Sequence, residues 1–494
     1  MLEAAFSGTG PPGALKICVL ADEDYYPWTP EYYLHDYHWE AYYFNLLTSV
    51  RTVQELVKRD FDVFFNFCDA SWTEPCPGLE VIKVLEHAGV AFTGADSAFY
   101  EPSREDMKRV CRIQGVRAPE SVEAYSEAEI ERAAATLRFP LIVKSPNSVA
   151  SVGIEPSSRV ETAEALREQA RRAMRENGGA LIEEFIEGRE FTVLVAENPD
   201  DPAQPKVYRP IEFLFPPGES FKHQRMKWDD WQLLKPVPCD DAALEARLAD
   251  AARKLFVGLN GVSYGRCDMR VDAAGQVFVL EINPNCALFY APHEPGSGDL
   301  VLLNDADGHR GFLELIFRAA LARQQRLRPK WVVRHAAESG YALYANRSLC
   351  EGETILSFEG RPHDLVSLSH VRQTWTPEGQ QLFARHAYPL SDEIWVMLSR
   401  NPADWTPMRH SCDPNAWWSG LDIVARRPIA EGEEISLDYA TFHNELMPEF
   451  VCTCGSEECR KVIRGSDYLQ PFVERYGEHV SEYVRQKRAA LGIC

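Results

Sequence analysis

The sequence predicts an α+β protein of more than one domain. Three observations carry that prediction. The chain has 494 residues, more than a single hydrophobic core supports. Up to about residue 325, short apolar runs alternate with amphipathic helical stretches. From residue 331 onward, strand-sized segments punctuated by glycine and proline take over.

Lys16 to Leu20 and Phe61 to Phe67 are apolar runs of strand length, and the stretch from Trp39 to Arg59 between them reads as a helix. Glu80 to Gly89 reads as a helix stopped by glycine, Val90 to Thr93 as a strand, and Ser103 to Gln114 as a helix capped by Ser103 and ended by Gly115. Alternation continues through Pro140 to Lys144, Ala180 to Ile186 and Phe191 to Ala196. A helix from Asp241 to Leu259 precedes two strands, Gly265 to Val271 and Val277 to Ile282, joined by the turn Asp272 to Gln276. The helix Gly311 to Gln325 ends in the basic, proline-containing stretch Arg326 to Lys330, where the main boundary falls. Beyond it, Thr354 to Phe358, Ile394 to Leu398, Ile423 to Ala425 and Ile435 to Leu437 are the expected strands. The tail from Ser466, with Tyr468, Phe472, Val473 and Tyr476, reads as an amphipathic helical segment that packs on its own domain. There is no internal repeat and no low-complexity tract.

With 45% hydrophobic and 26% charged residues, the composition is that of a chain that folds compactly. The formal charge of -22 offers no basic stripe to release counterions from phosphates, so nucleic acid is not an expected partner. Met1 to Leu15 lacks the basic start and apolar run of a signal peptide, and no later stretch has the length of a bilayer span. No membrane partner is expected, and the expected location is cytoplasmic, with nuclear residence added only for a eukaryotic source. Of thirteen cysteines, most stand singly in apolar contexts such as Cys18 and Cys111, while three crowd between Cys452 and Cys459. Reduced thiols plus one metal site fit this usage better than disulfides.

Chemistry links several pieces of the first region. Phosphoryl transfer to a carboxylate needs cations on the phosphates and hard oxygen ligands holding Mg2+ between them. Asp268, Glu281 and Asn283 supply such oxygens: Glu281 and Asn283 lie two apart on one strand and share a face, and Asp268 sits on the neighbouring strand of the hairpin. Together with Phe139-Pro-Leu-Ile-Val-Lys144, Leu181-Ile-Glu-Glu-Phe-Ile186, Gly188-Arg-Glu-Phe-Thr192 and Gly265-Arg-Cys-Asp268, they occur in the order and approximate spacing of the ATP-grasp fold. Over roughly residues 16 to 325 the chain resembles D-alanyl-D-alanine ligase.

That resemblance implies ATP and Mg2+ as cofactors and assigns roles. Arg104 stands where the family's first lysine is usual, beside Lys108 at the entry to the nucleotide site, and Lys144 meets the α- and β-phosphates. Glu183 and Ile186 would face adenine, Glu190 the ribose hydroxyls and Lys227 the γ-phosphate, while Arg266 would stabilise the tetrahedral intermediate as a catalytic residue. The loop Ser145 to Gly153 has lost most of the family's glycine and charge, although Ser151 and Gly153 keep backbone contacts on offer, so weaker ATP binding is expected. Asp22-Glu-Asp-Tyr-Tyr26 and Asn285-Cys-Ala287 depart from the family's amino-acid pocket, so D-alanine is not the expected acceptor.

The second region carries Arg409-His-Ser-Cys-Asp-Pro-Asn415, Glu431-Gly-Glu-Glu-Ile-Ser-Leu-Asp-Tyr439 and Cys452-Thr-Cys-Gly-Ser-Glu-Glu-Cys459. Cysteines 452, 454 and 459 supply three thiolates in one loop, structural zinc takes four, and Cys412 is the natural fourth. From Trp331 to Gly465 these motifs resemble the SET methyltransferases, with the cysteine run similar to their post-SET zinc lobe and the 409 to 415 segment to their pseudoknot. The resemblance implies S-adenosylmethionine, held by Gly340, Tyr341, Ala342, Arg409, His410 and Tyr439, with Ala342 replacing a second glycine and Arg409 an asparagine. Tyr439 is the expected catalytic hydroxyl, and Tyr388 is a candidate wall of the same amine channel.

The expected organisation is an ATP-grasp, ligase-like region at 1–325 (parts 1–100, 101–195 and 196–325), a linker at 326–330, a β-rich SET domain at 331–449, a zinc lobe at 450–465 and a helical tail at 466–494. The expected function is lysine N-methylation of a protein, joined to ATP-dependent carboxylate–amine ligation. Two alternatives stand beside it. The ATP-grasp part is a weakly catalytic nucleotide-binding or substrate-presenting module, or both domains modify a small amino-acid or peptide metabolite.

Overall fold

The computed structural model describes residues 4–23, 32–71, 74–146, 153–336, 340–358, 364–397 and 406–493. It contains two compact units, Met1–Leu327 and Arg328–Cys494.

The first unit opens on a four-stranded sheet in the order Phe6–Gly8, His38–Phe44, Lys16–Asp22, Val63–Asn66. The last three strands run parallel. Lys16–Asp22 is buried from Ile17 onward, as expected of a parallel strand covered on both faces. The single helix expected over Trp39 to Arg59 is corrected here: residues His38–Phe44 form a strand, and the helix is only Ser49–Leu56. Aromatic side chains dominate that strand, and pairing with Lys16–Asp22 along its whole length outweighs any local helical preference. Val90 to Thr93 contributes only an isolated parallel bridge, Phe64 to Phe92, rather than a full strand.

A second sheet, in the order Ser121–Ala124, Ala180–Glu184, Leu141–Lys144, Arg159–Val160, is antiparallel throughout. Helices Glu127–Thr136 and Ala163–Asn177 cover it through Ile130, Leu166 and Ala170, which pack on Leu141 and Ile182. The third sheet runs Lys235–Pro238, Ile211–Leu214, Arg189–Ala196, Tyr264–Val271, Val277–Asn283, with Lys206–Val207 added beside Arg189–Ala196. Helix Ala242–Gly258 starts at Asp241, whose carboxylate accepts from the Ala243 and Leu244 amides, and it buries Leu244, Leu248, Leu255 and Phe256.

The second unit is a set of small sheets around Leu343, Ile355, Trp418, Ile423, Ile435 and Leu437. A hairpin, Trp331–Ala336 with Gly340–Ala345, leads into a three-stranded sheet in the order Thr354–Ser357, Asp422–Ala425, Ala416–Ser419. Arg409–His410 lies parallel to Ser436–Leu437. The tail forms two 3-10 turns, Gly465–Leu469 and Pro471–Tyr476, and helix Glu482–Ala490. Tyr468, Val473, Tyr476 and Val484 bury against Ala440, so the tail underlies the turn that follows Asp438. Among the described residues, no helix is long and apolar enough to cross a membrane.

Candidate active sites and metal centre

In the first unit the site is built on the hairpin Tyr264–Val271 and Val277–Asn283, where Asp268 faces Glu281 and Arg266 faces Asn283. The Asn283 amide lies 3.4 Å from an oxygen of each carboxylate. Rotating an amide by half a turn exchanges its oxygen and nitrogen, so this trio can present oxygens to one cation, and its chemistry fits Mg2+. Burial opposes charge on Asp268, yet the Arg266 guanidinium, forked onto it at 3.1 and 2.9 Å, holds its carboxyl below the ordinary range. Arg266 also donates to Ser297 Oγ at 2.6 Å, and Arg104 pairs with Glu281 at 3.0 Å.

The lysines expected at the phosphates converge on one carboxylate. Lys108 and Lys144 reach Glu183 at 2.7 and 2.6 Å. Burial works against ionisation of Glu183, but Lys144, Lys108 and Arg104 outweigh it and hold the carboxyl far below its usual value. Glu190 is held by Lys222 at 3.2 Å and Arg270 at 2.9 Å. Ile186 is buried. Lys227 lies in helix Gln224–Trp228, and burial, reinforced by the charge of Arg266, brings its ammonium down to about 8. Ser151 lies outside the described residues, while the Gly153 amide donates to Gln224 Oε1. Arg270 was legible from alternation, since residues 266, 268 and 270 share one strand face. Lys222 and Ser297 carry no such signal.

In the second unit the sulfur atoms of Cys412, Cys452, Cys454 and Cys459 lie within 4.8 Å of one another. Zinc–sulfur bonds of about 2.3 Å in a tetrahedron separate sulfurs by about 3.8 Å. The Cys412 to Cys452 separation is 3.9 Å, so the four residues fit a structural zinc ion. Burial pushes the Cys412 and Cys452 thiols up, and the backbone amides of Arg460 and Cys454, which donate to them, work against that rise without overcoming it.

Three contacts join that cluster to Tyr439. The Tyr439 amide donates to His410 Nδ1 at 3.2 Å, so the ring proton sits on Nε2, 3.4 Å from Cys412 Sγ. Burial brings the His410 imidazole down to about 4 and keeps it neutral. Asp438 accepts a two-point contact from Arg460 at 2.6 and 2.7 Å and caps the turn Tyr439–Thr441. The Tyr439 hydroxyl donates to the Met408 carbonyl at 2.9 Å, and burial pushes it up to about 12. His410 is thus a bridge between turn and cysteines.

Gly340 takes a left-handed φ of 74° at the start of its strand, and Ala342 is fully buried with its backbone opposite Arg334. Tyr341 is half exposed, its ring against His335. The Ile435 amide donates to Leu343, and Arg409 forks onto Glu434, so this strand, Arg409, His410 and Tyr439 are neighbours. Tyr388 stacks on Trp418 at 4.4 Å, and Phe442 lies against both Tyr388 and Tyr439, extending an aromatic row from Phe358. Trp418 was not singled out from the sequence, although it follows the Pro414-Asn415 motif.

The fold and these sites define a two-part protein, an ATP-grasp ligase-like unit and a SET unit with a four-cysteine centre. Residues 110–288 match the D-ala D-ala ligase C-terminus model, and residues 340–440 match the SET domain model. The D-alanine–D-alanine ligase of Chromohalobacter salexigens is 30% identical over 230 residues, covering 46% of this chain and 67% of that protein. The same enzyme of Xylella fastidiosa is 32% identical over 237 residues, covering 47% and 73%. The chain belongs to the D-alanine–D-alanine ligase family through its first unit. A crystal structure of the Bacillus anthracis ligase is also similar, with 18% identity, a TM-score of 0.47, and coverage of 63% of this chain and 99% of that one.

Proposed function

We propose that the second unit is an S-adenosylmethionine-dependent methyltransferase acting on lysine in a protein. The observation that supports this reading is the run of contacts from the four sulfurs through His410 and Arg460 to Tyr439. S-adenosylmethionine, when bound, supplies the methyl group. A lysine amine keeps its proton until about pH 10.4 in water, and the aromatic row of Tyr388, Trp418 and Phe442 favours the neutral amine by desolvating it. Tyr439, its proton committed to Met408, keeps its oxygen lone pairs as an acceptor that orients the amine. Released S-adenosylhomocysteine, measured with the full chain and candidate proteins, tests this. Tyr439→Phe is expected to slow release by about 100-fold, and an unchanged rate would remove Tyr439 from the chemistry.

For the first unit we propose ATP-dependent joining of a carboxylate to an amine. Asp268, Glu281 and Asn283 would hold Mg2+, Lys108, Lys144 and Lys227 would neutralise phosphate oxygens, and Arg266 would stabilise charge on the tetrahedral oxygen. Mg2+-dependent ADP production is the expected result, lost in Asp268→Ala. One observation favours a second reading, nucleotide binding without turnover: Arg104, in place of a lysine, pairs with a carboxylate that the metal would also need. Saturable ATP binding with no ADP formed would select that reading.

A further inference from the structure

The second unit carries a shallow surface depression, open to solvent, that neither proposed reaction uses. Arg426, Arg427, Arg475 and His479 line it, together with Glu478. Three guanidiniums around one concavity are unusual in a chain with a net charge of -22. Their partners differ. Arg427 pairs with Glu433, a half-buried carboxylate that also accepts from Asn415 and the Ala430 amide, whereas Arg475 pairs with the exposed Glu458, and an exposed pair of that kind contributes little and exchanges readily. Arg426 has no carboxylate partner among the described residues: it stacks on the Tyr476 ring at 4.9 Å and donates to the Pro414 carbonyl at 3.3 Å.

We propose that this depression is a binding site for a phosphate group, with Arg426 as its anchor. A carboxylate satisfies one guanidinium fork, whereas a phosphate has three outward oxygens and close to two charges, enough to engage more than one arginine. The depression is open to solvent, so a body larger than a bare ion can carry the group. Arg475 and Tyr476 both contact the Cys412 carbonyl, and the Tyr476 hydroxyl donates to Asp438 at 2.6 Å, so the site shares a wall with the residues that hold Tyr439.

Hydrogen–deuterium exchange on the full chain tests this without reference to either enzymatic activity. Inorganic phosphate is expected to slow exchange in the segment from Arg475 to Val480 at least threefold, while chloride at matched ionic strength does not. Arg426→Gln is expected to abolish the protection, and Arg427→Gln to weaken it. Greater protection by ADP than by phosphate assigns the group to a nucleotide, and equal protection assigns it to the free ion. Protection by chloride, or protection that survives in Arg426→Gln, overturns the proposal.

Discussion

Glu183 shows how much a single buried carboxylate organises. It is 3% exposed and holds two lysines, so Glu183→Gln leaves two buried cations short of charge, at a cost of about 3 kcal/mol near neutral pH. Its folded value lies below the unfolded one, because the lysines and Arg104 outweigh burial. The stabilisation is therefore complete above the unfolded value of about 4.3 and is lost as pH falls through the folded value. Denaturant midpoints of wild type and variant are expected to converge in acid and diverge toward neutrality. The sequence marked Glu183 only through its neighbours in Leu181-Ile-Glu-Glu-Phe-Ile186, and nothing local indicates that two lysines, 39 and 75 positions earlier in the chain, meet on it. The meeting of Asp268 with Glu281 and Asn283 was legible only in part: alternation puts Glu281 and Asn283 on one face, but the short turn alone would set Asp268 opposite Leu280, and a bulge at that residue brings Glu281 opposite instead.

At the scale of elements, legibility followed local chemistry. The helix Arg104–Ile113 announces itself by Ser103, whose hydroxyl accepts from the Asp106 amide, and Ala242–Gly258 by Asp241. His38–Phe44 was misread because its partner strand lies elsewhere in sequence, and only pairing declares it. The cysteine loop and the turn Tyr439–Thr441 were each legible, but not the clamp between them. Arg460 binds Asp438 through its two terminal guanidinium nitrogens while its backbone amide donates to Cys412. Arg460→Ala strands the fully buried Asp438 and is expected to destabilise the second unit by about 3–5 kcal/mol. Because the amide donor survives the substitution, zinc content should be retained while methyl transfer falls in kcat more than in KM, with partial rescue in Arg460→Lys. Loss of zinc in parallel with activity would make the residue merely structural.

For the whole molecule, two compact units predict two unfolding transitions in calorimetry. ATP with Mg2+ at 100 times its Kd is expected to stabilise one by about 2.7 kcal/mol and leave the other in place. A zinc chelator is expected to lower only the second. A single transition responding to both would show that the units fold as one.

The cysteine cluster also sets an order of events during synthesis. Cys412 and Cys452 stand 40 residues apart, and Cys459 follows still later. At about 5–20 residues per second, everything up to Leu327 leaves the ribosome on the order of 10 s before those ligands are all available. A nascent chain would therefore hold a finished ligase-like half while its SET half still waits for an ion, and zinc scarcity would reach one half alone.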